Sequence, residues 1–272
     1  HHIPSPVEIT NTATEHWVSD TRVFPNHGLS PEQMAYAIKA VGLEPLLIRA
    51  ENDFVLKSTL YAYLSGRVPV LIGFTVRDTA ILSPSGNPDA NIIGRHAVAA
   101  TGFSLGGPSS AYGLSGFLLR ASRMDKVYAH DDQVGPFARM AFRPGHLTTS
   151  QVSSDPTAGK VQAVPEIVLV PLYHKIRIPF SCVRKIIISF DSLLKSWAAG
   201  SGGMLKCQFE WDISLTTLAD LRQDVFQHKT GITENVRRTV LLRSLPRFIW
   251  KARAVDGSSW KMDLLFDATD IE

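Results

Sequence analysis

The pattern of apolar residues changes at Gly66, and the change limits the folds that the first half of the chain can adopt. Before Gly66, apolar side chains recur at helical spacing in several segments. From Gly66 to about residue 145, successive segments are short and rich in β-branched and apolar residues, which is typical of strands. Helices followed by a run of strands predict an α+β fold in which N-terminal helices pack on an antiparallel sheet.

The clearest helix is predicted over residues 28–42, GLSPEQMAYAIKAVG. Ser30 is a good N-cap, Pro31 fits the first helical position, and Gly42 is a stop signal. Further helices are predicted over residues 6–18, 54–65, 179–197, 215–227 and 233–242. Strands are predicted over residues 46–49, 68–76, 96–104, 126–131, 137–142, 166–173, 205–211, 247–254 and 260–266.

A polar stretch poor in aromatic residues lies between His146 and Val164 and is the best candidate for a domain boundary. We therefore expect a first domain over residues 1–148, a linker or loop excursion over residues 149–164, and a smaller α+β C-terminal domain over residues 165–272. The sequence indicates no role for this second domain beyond positioning a partner or gating a cleft.

Composition excludes several classes of protein. The chain has 272 residues, 44% of them hydrophobic and 19% charged, which predicts a soluble globular protein. No apolar run approaches the ~18–20 residues that span a bilayer. A net charge of +3 is too small to predict nucleic-acid binding. We expect a cytoplasmic protein that binds neither membranes nor nucleic acid; its oligomeric state stays open.

Neither a metal nor a cofactor is expected. The histidines outside the motifs discussed below have no second ligand at metal spacing; they include His146, His174 and His228. No phosphate-binding loop or dinucleotide fingerprint is present. Two cysteines, Cys182 and Cys207, make neither a disulfide framework nor a zinc site.

Four sequence pieces occur in a recognisable order. They are the helix that opens with Gly-Leu-Ser, the strand entry GRVPVLIGF, the strand GRHAVAATGF, and KVYAHDDQVGP. In this order they resemble the papain-like cysteine peptidases, nearest to the branch of bacteriocin-processing peptidases that cleave after a double glycine. The resemblance covers roughly residues 1–145.

The resemblance implies a papain-like fold and roles for two residues. His96 matches the general base of the family, and Asp131 matches the acid that orients it. Such chemistry needs these residue types, because a thiol is a weak nucleophile until an imidazole takes its proton. A carboxylate on the far ring nitrogen then fixes the tautomer and stabilises the imidazolium. Without the resemblance, the residues favour a plainer interpretation, in which His96 is a satisfied polar residue at a strand start and Asp131 and Asp132 are turn residues.

The family's nucleophilic cysteine precedes the Gly-Leu-Ser helix, but residues 1–95 contain no cysteine. Three explanations stay open: a cysteine upstream of the residues shown, Ser5 at the nucleophile position, or a misaligned segment. Cys182 is an alternative nucleophile, because it is predicted in the first turn of a helix, whose dipole lowers a thiol pKa. The order His, Asp, Cys would match ubiquitin-like-protein proteases. Cys182 also reads as a small core residue, and Cys207 as a buried, inert one.

The function expected from these residues is that of a thiol peptidase, or a related amide hydrolase or acyl-transfer enzyme, acting on a peptide or protein substrate. Its Cys-His-Asp triad would use His96 and Asp131, with a cysteine that is absent from the residues shown or upstream of them. The alternative is a catalytically inactive peptidase fold that binds a peptide or protein partner.

Overall fold

The computed structural model describes residues 3–15, 28–81, 89–113, 116–148, 161–200, 208–227, 232–257 and 259–269. The chain forms two compact units, each assembled from separate stretches of sequence. Unit 1 comprises His1–Glu51, Val68–Thr101 and Tyr128–His174. Unit 2 comprises Asn52–Arg67, Gly102–Val127 and Lys175–Glu272. The predicted mixture of helices and strands is confirmed.

The described helices are α1 (Pro6–Thr14), α2 (Pro31–Ala40), α3 (Asp53–Ser65), α4 (Phe180–Gly200), α5 (Leu218–Gln227) and α6 (Glu234–Leu242). The described strands are β1 (Leu43–Arg49), β2 (Val70–Asp78), β3 (Ile92–Leu105), β4 (Ala111–Tyr112), β5 (Phe117–Leu119), β6 (Met124–Asp131), β7 (Gly135–Arg143), β8 (His146–Thr148), β9 (Val161–Tyr173), β10 (Glu210–Thr217), β11 (Phe248–Asp256) and β12 (Ser259–Asp267). A 3-10 turn over Arg120–Arg123 joins β5 to β6.

The sheet of unit 1 closes on itself. Its strand order is β1-β9-β2-β3-β6-β7-β8, and β8 also pairs with β9 through Leu147 and Ala163. Strand β9 runs antiparallel to β1, β2 and β8. Its apolar residue Leu169 is buried, as are Ile72 of β2 and Val98 of β3. Helix α2 packs against β1, and α1 packs against α2.

Unit 2 is built around a second sheet, of order β12-β11-β10-β5-β4, in which β10 and β5 are parallel. Its core is aromatic: the ring centroid of Tyr63 lies 5.4 Å from that of Trp250, and Phe180 lies 5.8 Å from Trp250. The backbone N–H of Phe180 donates to the Tyr63 hydroxyl at 3.1 Å. Burial raises the pKa of Tyr63 to about 12.

The polar stretch does not separate the two units. Residues 161–164, assigned to the linker from sequence, are the first residues of β9; residues 149–160 lie outside the described ranges. Val161 and Ala163 pair with Asp78 and Val76 of β2, so the partner strand makes this polar segment extended. Helix α3 belongs to unit 2 although it precedes the stretch.

The strand predicted over residues 205–211 is shifted in the structure. Strand β10 begins at Glu210 and continues to Thr217, so residues 215–217, predicted as the start of a helix, are strand. Residues 205–207 lie outside the described part of the chain. Pairing with β11 from Glu210 to Thr217 extends these residues, and local composition does not reveal that pairing.

Gly73 of β2 lies where β9 approaches most closely. A Cβ added to Gly73 would lie 2.7 Å from Cγ1 of Ile167, closer than real Cβ atoms come. The register also changes here, because Gly73 faces Ile167 and the next residue, Phe74, faces Pro165. Glu166 is therefore the extra residue of a β-bulge.

We expect Gly73→Ala to lower the free energy of unfolding by about 1–3 kcal/mol, because the new methyl group overpacks the contact with Ile167. Urea unfolding followed by circular dichroism measures the change. The matched control is Gly94→Ala on β3, where an added Cβ meets nothing within 4 Å. Equal stabilities of the two variants would contradict this account of the close approach.

Candidate functional site

His96 and Asp131 contact each other across neighbouring strands of unit 1. His96 lies in β3, and Asp131 is the last residue of β6, which is adjacent to β3 in the sheet. The imidazole Nε2 of His96 lies 3.0 Å from Oδ1 of Asp131. The Asp131 side chain is 1% exposed and that of His96 is 12% exposed. The structure thus brings together the base and the acid proposed from the sequence, and their catalytic roles stay a prediction.

The Asp131 carboxylate is held by the turn that follows it. The backbone N–H of Gln133 donates to Oδ1 of Asp131 at 3.0 Å. An ionised carboxylate only accepts hydrogen bonds, so it favours the histidine tautomer that carries a proton on Nε2. In a neutral ring this leaves the Nδ1 lone pair of His96 free to accept a proton.

Phe74 supports the imidazole from the neighbouring strand. It is the cross-strand partner of His96 in the pairing of β2 with β3. The two ring centroids lie 5.5 Å apart with an interplanar angle of 75°, which is an edge-to-face contact. Because Phe74 is buried, this contact limits rotation of the His96 ring.

Asp132 is a residue that the sequence reasoning passed over. Its Oδ1 lies 3.4 Å from Nε2 of His96, and its side chain is 80% exposed. The signal is the doubled aspartate in the motif HDDQVGP, where both aspartates also suit a turn. Among the described residues, His96, Asp131 and Asp132 form a group whose donor atoms all lie within 4.8 Å of one another.

A cavity of about 260 Å³ lies beside His96. The apolar part of its wall includes Leu29, Met34, Phe74 and Ile167. The charged residues Arg95 and Glu166 also line it. The cavity wall therefore offers apolar surface flanked by one cation and one anion.

The start of helix α2 is fixed where it lines this cavity. As predicted, Ser30 is the N-cap and Pro31 follows at the first helical position. Gln33 N–H donates to Ser30 Oγ at 3.2 Å, and Ser30 N–H donates to Gln33 Oε1 at 2.8 Å. This capping box explains why the Gly-Leu-Ser opening holds Leu29 in place, and why the polar Gln33 is buried.

The bulge at Glu166 lies in the same wall. Bulges re-aim side chains and are common beside functional sites. Pro165 within a strand was a signal that could have revealed it, because proline in a sheet is confined to edges, strand starts and bulges.

Ser5 has a structural role at the start of helix α1. Its Oγ accepts a hydrogen bond from Glu8 N–H at 3.2 Å, and its own N–H donates to Glu8 Oε2 at 2.6 Å. The described residues that line the His96 cavity do not include Ser5. The structure therefore gives Ser5 a capping function and does not bring it into that cavity.

Cys182 lies in the first turn of α4, as predicted, and its N–H donates to the carbonyl of Pro179 at 3.1 Å. It belongs to unit 2, whereas His96 belongs to unit 1. Cys182 is exposed, so its interpretation as a small core residue is wrong. The buried face of the helix is formed by Phe180, Val183 and Ile187, which leaves position 182 outside it. Cys207 lies outside the described residues.

Comparisons with family models, with curated proteins and with solved structures give no match for this chain. In the described ranges, no helix combines the length and the apolar character needed to cross a membrane.

We expect Asp131→Ala to lower the free energy of unfolding by about 1–3 kcal/mol, because it leaves the N–H groups of His96 and Gln133 without their acceptor. The matched control is Asp132→Ala, which removes an exposed carboxylate and should stay within about 0.5 kcal/mol of the parent. Thermal and urea unfolding measure both changes. A larger loss of unfolding free energy for Asp132→Ala than for Asp131→Ala would contradict the assignment of Asp131 as the carboxylate that holds the His96 imidazole.

Proposed function

We propose that this chain carries the acid–base half of a thiol-dependent amide hydrolase that acts on a peptide or protein. The observation that carries the proposal is the buried Asp131 carboxylate 3.0 Å from Nε2 of His96. The ordered resemblance of residues 1–145 to papain-like cysteine peptidases supports it. Related acyl transfer shares the first half-reaction and differs in the second, where an amine replaces water as the group that attacks the thioester.

The arrangement suits proton transfer through Nδ1 of His96. A thiol beside this nitrogen would give up its proton to Nδ1, and the resulting thiolate would attack the carbonyl carbon of the amide. The imidazolium then returns the proton to the leaving amine, and water hydrolyses the thioester. The part of Asp131 is to orient the ring and to stabilise its positive form. The cavity next to His96 offers the substrate a place to bind.

The nucleophile of the proposal is a thiol that reaches Nδ1 of His96, and the resemblance to papain-like peptidases implies a position N-terminal to helix α2. Residues 1–95 hold no cysteine. The hydroxyl of Ser5 already caps a helix. Cys182 belongs to unit 2, whereas His96 belongs to unit 1.

A second candidate function is a peptide-binding module without catalysis. It is favoured by the absence of a thiol among the described residues that line the His96 cavity. In that case the apolar wall and the flanking charges would hold a peptide that is not cut.

The test is labelling of the full-length protein by iodoacetamide near pH 6, with each modified cysteine mapped by mass spectrometry. We expect a cysteine N-terminal to α2 to react about tenfold or more faster than Cys182, because a paired imidazole lowers the thiol pKa by a unit or more. His96→Ala should abolish the difference. The matched control His174→Ala changes an exposed histidine outside the site and should leave it intact.

Other outcomes decide between the alternatives. Uniformly slow labelling of every cysteine would contradict the hydrolase proposal and leave the peptide-binding module as the better explanation. Fast labelling of Cys182 that depends on His96 would assign the nucleophile to Cys182 in α4. A Ser5→Cys variant whose labelling slows when His96→Ala is added would assign the nucleophile to position 5.

A further inference from the structure

A second carboxylate faces the same ring nitrogen of His96. Nε2 lies 3.0 Å from Oδ1 of Asp131 and 3.4 Å from Oδ1 of Asp132. One N–H points well at one acceptor, and Asp131 is the nearer of the two carboxylates. Asp132 therefore adds a second negative charge beside a nitrogen whose hydrogen bond is already made. In the proposed hydrolase, the ring is already oriented by Asp131.

The distances from Nε2 of His96 to the two carboxylate oxygens fit the coordination shell of a small transition-metal ion. Zinc binds imidazole nitrogen at ~2.0–2.1 Å and carboxylate oxygen at ~2.0–2.2 Å, so tetrahedral ligands lie about 3.4 Å apart. The two N···O distances, 3.0 and 3.4 Å, are already close to that separation. The third distance, between the two carboxylate oxygens, is within 4.8 Å, so shifts of the side chains could bring all three atoms around one ion.

The donor set also selects the kind of ion. One imidazole and two carboxylates suit zinc and similar divalent transition metals. Magnesium and calcium prefer shells made of oxygen alone, so an imidazole ligand disfavours them. Asp132 is 80% exposed, which gives the ion a route from solvent and leaves room for water as the fourth ligand.

Neighbouring groups would support such a site. Gln133 N–H already donates to Oδ1 of Asp131, and hydrogen bonds of this kind hold ligating carboxylates in place. Phe74 covers the ring of His96 edge-to-face and restricts its rotation. Two of the three ligands are thus fixed before an ion arrives, and only the exposed Asp132 has to be ordered.

We propose that His96, Asp131 and Asp132 bind a zinc ion through Nε2 and the two Oδ1 atoms. Binding needs the lone pair of Nε2, so the proton that this nitrogen shares with Asp131 has to leave it. In a neutral ring that proton moves to Nδ1, the nitrogen that has to be free to accept the thiol proton. This last step rests on the proposed function: zinc is then a reversible inhibitor, because it holds His96 in the tautomer whose Nδ1 cannot accept the thiol proton.

Isothermal titration calorimetry with zinc chloride tests the site without any measurement of activity. The protein is the 272-residue chain with His1→Ala and His2→Ala, which removes two adjacent histidines that could bind zinc themselves. We expect binding of one ion, with affinity lowered about tenfold or more by His96→Ala and by Asp132→Asn, because perturbing metal sites has effects of at least this size. The control His174→Ala should bind like the parent.

Asp132→Asn keeps the test interpretable, because the residue is exposed and its replacement should leave the fold intact; thermal unfolding checks this. Absence of zinc binding in the parent, or equal affinity in the parent, His96→Ala and Asp132→Asn, would overturn the proposal. Failure of the zinc site leaves the labelling result unaffected. Conversely, zinc binding together with uniformly slow labelling would contradict the hydrolase proposal and leave the zinc site standing.

Discussion

Strand β9 is the element on which the candidate site depends. It pairs with β1, β2 and β8, and through these pairings it closes the sheet of unit 1. Its close contact with β2 at Gly73 admits no side chain. Immediately beyond that contact the bulge places Glu166 in the cavity wall, and Phe74 supports His96. The orientation of the imidazole is thus set by strand pairing from one side and by Asp131 from the other.

Local signals in the sequence were enough to find part of this arrangement. Ser30 and Pro31 mark the start of α2 because capping is a property of a few adjacent residues. The His96–Asp131 contact followed from the resemblance, which placed the two residues on neighbouring strands. Both findings depend on short segments of sequence in which the residue types themselves indicate the structural role.

The remainder depends on pairing between distant segments, which no local pattern contains. Residues 161–164 look like a polar linker and become strand only because β2 and β8 lie beside them. The discontinuous units arise in the same way, since contacts decide which stretches pack together. Asp132 was overlooked because a second aspartate before a turn has an ordinary explanation, and its 3.4 Å distance to Nε2 needs coordinates.

Both proposals depend on which nitrogen of His96 carries the proton. Hydrolysis needs the proton on Nε2, held by Asp131, so that Nδ1 can accept another. Zinc needs Nε2 without a proton and thereby blocks Nδ1. The same three side chains therefore support two exclusive states, and the metal-free state is the one with the hydrogen bond of 3.0 Å.

The most direct test of this account is the tautomer of His96 in the metal-free protein, measured by NMR of protein with ¹⁵N-labelled histidine and assigned by comparison with His96→Ala. At a pH where the ring is neutral, the account predicts the proton on Nε2 and none on Nδ1. A neutral ring protonated on Nδ1, or rapid averaging of both tautomers, would contradict it, because Asp131 would then not be fixing the imidazole.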